Sequence, residues 1–335
     1  MAPPFHRQRK IPSPALAPAQ NAFGRTREAA VTIGLINNMP DGALKATERQ
    51  FMRLVQAAAG TTRVRFHCFA LPSVVRSKHA KEHIDKEYRD IAALDRLHID
   101  GLIVTGAEPI TANLPQERYW REFTELVDWA KTNTRSTIWS CLAAHAAVLH
   151  LDGIERQRLP QKCSGVYDCA KVTDDALTRD LPATIRVSHS RLNEVRENDL
   201  VAGGYSILTR SAQAGVDIFA RELGSRFVFF QGHPEYDALS LQREYMRDIA
   251  RFLAGERNDY PAIPADYFDA ETEEVLARFE RHARAERKAE IAAELPGLKL
   301  LPDVPAGGAA TTILRNWLDC LAEDVHPRPS ESATR

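Results

Sequence analysis

The sequence alternates short apolar runs with amphipathic segments, and this alternation constrains the fold more than any other feature. Each apolar run is rich in β-branched residues and is followed by turn residues or a helical pattern, which predicts a buried strand. The segments between the runs carry apolar residues at helical spacing. Strands separated by such helices predict a flavodoxin-like, doubly wound α/β fold with a mostly parallel sheet. The runs are VTIGLI (31–36), RVRFHCFA (63–70), GLIVTG (101–106) and STIWS (136–140).

The pattern changes after about residue 184, where short strands follow one another without long helices between them. They predict a β-rich edge on the parallel sheet. A core helix, a charged helical stretch and a last helix complete the chain. These later segments are IRVSHS (185–190), YSILTR (205–210), VDIFA (216–220), RFVFFQG (226–232) and the helices near 241–253, 271–292 and 311–322.

Four segments are predicted from this organisation. Residues 1–30 are rich in Pro and Ala without periodicity and predict a disordered tail. A catalytic α/β domain is expected at 31–256, followed by a C-terminal helical appendage at 257–323. Residues 324–335 are expected to form a second tail.

Composition excludes several classes of function. The chain has 335 residues and a formal net charge of −1, so no strong field favours nucleic acid or an anionic membrane. No apolar run reaches the roughly 18 residues of a membrane span, and the N-terminus lacks a secretory signal. Five cysteines without zinc-site spacing predict a reduced, cytoplasmic protein with no metal site. His79 and His83 have metal-compatible spacing but no third ligand, which favours a solvated helix face.

Cys141 stands where the strand STIWS turns directly into the helical run CLAAHAAVLH (141–150). The positive end of the helix dipole favours a thiolate there, and the thiolate is the nucleophilic form of cysteine. Trp139 and Ala143 stand where a nucleophile elbow usually has glycines, so the match is incomplete. A cysteine considered alone is more often a packed core residue, and the prediction therefore depends on its partners.

The partners are in the segment FVFFQGHPEYD (227–237), where His233 and Glu235 follow a predicted strand. In extended backbone, residues two apart point the same way. Glu235 can then hold one ring nitrogen of His233 while the other nitrogen faces a nucleophile. The simpler alternative is a surface turn with an unrelated His and Glu. Together with Cys141, the pair predicts a catalytic triad.

These residues and their surroundings resemble a known family. A cysteine at a strand–helix junction followed by H-x-E after a late strand resembles the class I glutamine-amidotransferase fold. In detail the chain resembles the homoserine O-acyltransferases of the homoserine O-succinyltransferase family. The matching stretches lie in family order across 31–323. They are NNMPDGALKATERQFMRLV (37–55), SKHAKEHID (77–85), DGLIVTGAEP (100–109), YWREFTELVDWAKTN (119–133), LPQKCSGVYD (159–168), SHSRLNEVRENDL (188–200), AGVDIFA (214–220), GHPEYDALSLQREYMRD (232–248), IPADYF (263–268) and RNWLDCLAE (315–323).

The resemblance implies a reaction and the roles of three residues in it. Cys141 would take the acyl group of acyl-CoA as a thioester, with His233 as the base and Glu235 orienting it. The acyl group would then pass to the hydroxyl of homoserine in a ping-pong reaction of methionine biosynthesis. No metal or redox cofactor is implied, because acyl-CoA is a substrate. The expected partners are these small molecules and a second copy of the chain in a homodimer.

Further residues match positions that hold the amino-acid substrate in the family. Each has a simpler alternative, namely a surface cation, a turn hydroxyl and a solvated helix charge. The substrate-binding candidates are Lys162, Ser190 and Arg247. Backbone N–H groups at the junction are natural donors to an oxyanion. The oxyanion candidates are Leu142, Gly106 and Ala107.

Departures from the family pattern concern the acyl donor and two other positions. Ile110 aligns with a residue that is Gly in members using succinyl-CoA and Glu in members using acetyl-CoA. Ile lacks a carboxylate that would repel a succinyl tail, which favours succinyl, although Glu108 is close in sequence. His145 replaces the usual Gln, and an insertion near Lys45 obscures its match to a family lysine.

Three rival hypotheses stay open on the sequence. A glutaminase or amidase of the same superfamily would use the same triad. A binding or regulatory relative would keep the triad without turnover. A related acceptor such as serine differs by one methylene, which discriminates by only about 1–3 kcal/mol.

Overall fold

The computed structural model of the protein describes residues 30–295, 297–305 and 307–323. The tail predicted at 1–30 lies outside these residues except for Ala30, and the tail at 324–335 lies wholly outside them. The strands are β1 (Val31–Ile36), β2 (Val64–Phe69), β3 (Gly101–Thr105), β4 (Ser136–Ser140), β5 (Gln157–Lys171), β6 (Thr184–Glu194), β7 (Ser206–Ser211), β8 (Gly215–Glu222) and β9 (Arg226–Phe230). The α-helices are α1 (Asp41–Ala59), α2 (Lys78–Glu87), α3 (Trp120–Asn133), α4 (Leu142–Asp152), α5 (Glu197–Ala202), α6 (Ser240–Leu253), α7 (Ala270–Glu286) and α8 (Gly308–Glu323).

The described strands form one nine-stranded sheet in the order β2-β1-β3-β4-β9-β8-β7-β5-β6. The first five strands of that order pair in parallel. The other four extend the sheet through antiparallel pairs. The predicted doubly wound, mostly parallel sheet with a β-rich edge is therefore confirmed.

The strand RFVFF lies elsewhere than the sequence predicted. It forms β9, which pairs in parallel with β4 in the middle of the sheet instead of belonging to the edge. Its near-complete burial is typical of a central parallel strand covered on both faces. The edge instead includes β5, which the sequence analysis did not predict. Only part of β5 is buried and Pro160 interrupts its pattern, so it resembles a loop in sequence.

Helices cover both faces of the parallel half of the sheet. Phe51 of α1 and Trp317 of α8 belong to the apolar core on one face. Phe123 of α3 and Val148 of α4 belong to the core on the other. This two-sided covering explains why the central strands are continuous apolar runs.

The C-terminal segment divides between two cores. Helix α7 packs with α6 in a third apolar cluster, whereas α8 lies on the sheet beside α1. The Trp317 Nε1 donates to Ser136 Oγ at 2.8 Å, which attaches α8 to the start of β4. The domain boundaries at 256 and 323 stay predictions. Among the described helices, none has the length and apolar character needed to cross a membrane.

The register of the parallel strands sets where a site can form. Thr105 ends β3 opposite Ser140 at the end of β4, and Ser140 lies opposite Phe230 at the end of β9. The three strands therefore end level with one another. The residues that follow them, including Gly106 and Cys141, emerge at the same edge of the sheet.

Candidate active site

Cys141 occupies a strained turn between β4 and α4. Its φ of 52° and ψ of −111° are unfavourable for a residue that carries a Cβ. Its backbone N–H donates to the Phe230 carbonyl at 2.7 Å, which ties the turn to the end of β9. Backbone strain of this kind is typical of a nucleophile elbow, where the turn exposes the side chain at the edge of the sheet. The elbow geometry is present even though Trp139 and Ala143 replace the usual glycines.

Gly106 brings the loop after β3 against the start of α4. A Cβ built on Gly106 would lie 2.4 Å from the Leu142 Cβ and 3.1 Å from the Ala143 nitrogen. Only a glycine permits this approach. The N–H groups in the first turn of a helix have no partner within the helix, so the Leu142 N–H is a potential donor to a ligand. Gly106, Ala107 and Leu142 all line the same cavity as Cys141.

His233 and Glu235 form a buried hydrogen-bonded pair beside Cys141. The His233 Nδ1 lies 2.9 Å from Glu235 Oε1, with 7% and 5% of the two side chains exposed. The His233 N–H donates to the Ser188 carbonyl at 2.8 Å, which fixes the turn. Within the described structure, the His233 Nε2 has no hydrogen-bond partner. The ring thus has one nitrogen held by a carboxylate and the other available.

The electrostatics of His233 depend on its two acidic neighbours. Burial alone would lower its pKa, because it disfavours a charged ring. Glu235 and the neighbouring Cys141 outweigh that effect and hold the pKa of His233 well above its usual value. A histidine between a carboxylate and a cysteine is the arrangement of a nucleophile, its base and the group that orients the base.

The predicted substrate-binding residues surround two carboxylates on α6 that the sequence analysis did not single out. The Lys162 Nζ lies 3.4 Å from Glu244 Oε2 and 3.1 Å from Asp248 Oδ2. The Ser190 hydroxyl donates to the same Glu244 oxygen. The Arg247 guanidinium donates to Asp248 Oδ1 through Nε at 3.2 Å and Nη2 at 3.0 Å. The spacing of Glu244 and Asp248, four apart on a helix, could have indicated a shared face.

Both carboxylates are held ionised by this arrangement. Burial would raise their pKa values, but Lys162 lowers the pKa of Glu244 below its usual value with help from Ser190 and Tyr236. Lys162 and Arg247 likewise lower the pKa of Asp248 against the effect of burial. This end of the site therefore presents a cluster of fixed opposite charges.

One large cavity connects the described groups. Its volume is about 1550 Å³, and its walls include the Cys141–His233–Glu235 group and the charged cluster around Glu244. Ile110 also lines it, and 77% of this residue is exposed. The Glu108 carboxylate, on the same loop, lies 3.7 Å from the Arg251 guanidinium.

Four other residues named in the sequence analysis have ordinary surroundings. His145 is buried, its Nε2 lies 2.9 Å from Gln231 Oε1, and burial lowers its pKa to about 3. The Lys45 Nζ lies 3.5 Å from the His79 Nε2 at an exposed position. His83 lies 2.8 Å from the Glu48 carboxylate.

Three buried side chains of types that can bind a metal lie next to the turn that carries His233. The ligand atoms of Cys169, His189 and Asp217 are within 4.8 Å of one another, and all three residues are buried. Asp217 Oδ1 lies 3.5 Å from His189 Nε2, and the Thr209 hydroxyl donates to the other Asp217 oxygen at 2.8 Å. Gly232 packs on this group, since a Cβ there would lie 2.6 Å from Asp217 Oδ1. The group thus supports the turn that carries His233.

Comparison with known proteins agrees with the sequence resemblance. The model of the homoserine O-succinyltransferase family matches residues 16–286. A homoserine O-succinyltransferase from Bradyrhizobium japonicum is 62% identical over 320 residues, covering 95% of this chain and 98% of the relative. One from Rhodopseudomonas palustris is 58% identical, covering 96% and 98%. A solved glutamine amidotransferase from Thermotoga maritima aligns with 88% of this chain and 100% of that chain at 13% identity, with a TM-score of 0.48.

The fold and the site define an α/β protein with a Cys–His–Glu group at the carboxyl edge of its sheet, the arrangement used in cysteine-dependent acyl chemistry. The chain belongs to the homoserine O-succinyltransferase family. The family resemblance predicted from the sequence is thereby confirmed.

Proposed function

We propose that the protein transfers a succinyl group from succinyl-CoA to the hydroxyl of L-homoserine through a thioester on Cys141. The observation that carries this proposal is the strained elbow of Cys141 beside the buried pair of His233 and Glu235. Family membership supports the choice of substrates, since the relatives at 62% and 58% identity are homoserine O-succinyltransferases.

In the first half-reaction, the Cys141 thiolate attacks the thioester carbonyl of the acyl-CoA and forms a new C–S bond. The negative charge that develops on the carbonyl oxygen is stabilised by the N–H groups of Leu142 and of the Gly106–Ala107 loop. The intermediate collapses by breaking the bond to the CoA sulfur, which takes the proton of the His233 imidazolium. Glu235 keeps the ring oriented throughout.

In the second half-reaction, the hydroxyl of homoserine attacks the acyl-enzyme. Neutral His233 accepts the hydroxyl proton as the new C–O bond forms. The tetrahedral intermediate then releases the Cys141 sulfur as a thiolate, and the imidazolium–thiolate pair is restored. Each step uses the groups of this chain and the two substrates, so the proposed scheme requires no metal or redox cofactor.

The charged cluster suits an amino acid in its zwitterionic form. The Arg247 guanidinium can bind the substrate carboxylate as a fork, since 46% of its side chain is exposed. The Glu244 and Asp248 carboxylates can accept the substrate ammonium. Lys162 and Ser190 then act through Glu244, because they already donate to it.

A single assay tests the proposal. Purified protein is supplied with homoserine and, in parallel, succinyl-CoA or acetyl-CoA, and the products are read by mass. With donor alone, the protein should gain one acyl mass at Cys141, and Cys141→Ala should abolish the adduct and the turnover. Cys320→Ala is the matched control, since Cys320 lies on α8 outside the cavity.

Two outcomes would contradict the proposal. An acyl adduct mapped to a different cysteine would show that Cys141 is not the nucleophile. Release of ammonia from glutamine or another amide, without acyl transfer to homoserine, would favour the amidase alternative.

A further inference from the structure

Tyr236 lies between the two halves of the site. Its ring stacks on the His233 ring with 4.2 Å between centroids and 17° between planes. Its hydroxyl donates to Glu244 Oε1 at 2.6 Å. One side chain therefore contacts the candidate base through its face and the charged cluster through its edge.

Glu244 is the centre of that cluster. Its Oε2 accepts from Ser190 and lies 3.4 Å from the Lys162 Nζ, while its Oε1 accepts from Tyr236. The carboxylate is thus held from three directions by three separate elements of the chain. An ammonium group bound by Glu244 would draw on the same oxygens, and the Tyr236 hydroxyl would respond because it is bonded to one of them.

The His233 ring is open to influence from Tyr236. Glu235 holds Nδ1 and Cys141 is a neighbour of the same ring, so packing against the ring faces contributes to its tilt together with these two groups. The stacked Tyr236 ring supplies packing on one face. A shift of the hydroxyl at the far end of Tyr236 is therefore transmitted to the ring that must accept the acceptor's proton.

We propose that Tyr236 is a positioning residue that couples occupancy of the acceptor site at Glu244 to the orientation of His233. The inference rests on the proposed function, and it concerns the second half-reaction only. Acylation by the donor needs the stack but not the hydroxyl bond to Glu244. Transfer to the acceptor needs both.

The two half-reactions separate this role from a merely structural one. Tyr236→Phe keeps the stacked ring and removes the hydroxyl. Rapid-quench mass spectrometry follows acylation by succinyl-CoA alone, and a single-turnover experiment follows the decay of the isolated acyl-enzyme at increasing homoserine. Tyr205→Phe is the matched control, because its hydroxyl also donates to a carboxylate, Asp152 Oδ2 at 2.5 Å, outside the cavity.

For Tyr236→Phe, acylation should stay within about twofold of the unmodified protein, while transfer at saturating homoserine slows about tenfold or more. The half-saturating homoserine concentration should change by less than about threefold, since Lys162 and Ser190 still hold Glu244. Tyr236→Leu, which also loses the stack, should slow both half-reactions. Tyr205→Phe should slow neither.

Equal slowing of both half-reactions in Tyr236→Phe, or no slowing of transfer, would overturn the inference. Failure of the unmodified protein to form any acyl-enzyme would instead refute the proposed function itself. The two failures are therefore distinguishable in the same experiment.

Discussion

Gly106 and Leu142 are in such close contact that a Cβ on Gly106 would stand 2.4 Å from the Leu142 Cβ. Gly106→Ala should therefore push the loop after β3 away from the start of α4 and misplace the oxyanion donors. Loss of one such donor costs about 10²–10³ in rate, so acylation by succinyl-CoA should fall on this scale. The measurement is the single-turnover acylation rate, with thermal unfolding as a check on folding.

The control is Gly42→Ala, because a Cβ on Gly42 meets no atom within 4 Å. Gly42 lies within α1, so this change should leave the rate unaltered and stabilise the fold by about 0.5–1 kcal/mol. Equal acylation rates in the Gly106 and Gly42 variants would show that the loop after β3 does not help to stabilise the oxyanion.

Glu235→Gln should shift the pH dependence of acylation in a defined direction. Glu235 helps to hold the pKa of His233 above its usual value, and neutral Gln removes that attraction. The variant ring then loses its proton at lower pH. Since the imidazolium protonates the departing CoA sulfur in the proposed scheme, the alkaline limb of kcat/KM for succinyl-CoA should move to lower pH.

The matched control for this pH profile is Glu256→Gln, which removes an exposed acid that lines the same cavity. Its alkaline limb should stay in place. An alkaline limb that moves upward in Glu235→Gln would contradict the assigned role of Glu235.

Arg247→Lys should weaken the acceptor selectively. Lysine keeps the charge but loses the planar fork that binds a carboxylate through two donors. The KM for homoserine should rise about tenfold, while the KM for succinyl-CoA changes little. Arg243→Lys, on the same helix but paired with Asp237 outside the cavity, is the control. Equal rises for both substrates would assign Arg247 a general structural role.

Ile110→Glu should lower the preference for succinyl-CoA over acetyl-CoA. A carboxylate on the cavity wall repels the free carboxylate of a succinyl group and leaves an acetyl group unaffected. Because 77% of residue Ile110 is exposed, solvent screens this repulsion, and the expected change in the ratio of specificity constants is modest, about three- to tenfold. Val201→Glu adds the same charge at an exposed apolar position outside the cavity and should leave the ratio unchanged. An unchanged ratio in Ile110→Glu would show that Ile110 does not select the acyl donor, and Glu108 would be the next residue to test.

Asp217→Asn tests the buried group behind His233 through stability. Burial raises the pKa of Asp217 to about 6, against the lowering effects of Thr209 and Gly232, so the folded state favours the protonated form. The protonated carboxyl therefore stabilises the folded state at low pH, and the free energy of unfolding of the unmodified protein should fall as pH rises through about 6. Asn does not ionise, so the stability of the variant relative to the unmodified protein should increase from pH 4 to pH 7.5. Chemical denaturation at both pH values measures the difference in free energy of unfolding between the two proteins.

The control for this stability comparison is Asp168→Asn, which removes an exposed carboxylate from β5. A gap between Asp217→Asn and the unmodified protein that does not change with pH would show that the carboxyl is not held protonated by burial.

Much of the fold follows from local pattern. The alternation of apolar runs with helical segments predicted the parallel sheet. The side-chain period of a strand and that of a helix can each be recognised within a single segment. The position of Cys141 followed from the same logic, since a strand that runs directly into a helix fixes an elbow without reference to the rest of the chain. His233 and Glu235 were predicted because two residues in extended backbone share a direction.

Other features depend on contacts between distant segments, and the sequence alone did not determine them. Lys162 and Asp248 are 86 residues apart, and only the packing of α6 against β5 brings the ammonium to the carboxylate. The place of β9 beside β4 was likewise decided by pairing, because an apolar strand carries no local mark of its neighbour. Tyr236 was part of a recognised motif, yet its contacts with His233 and Glu244 exist only in the folded chain. Local periodicity determined the elements and the candidate triad, whereas side-chain contacts across the sheet decided which charges surround it.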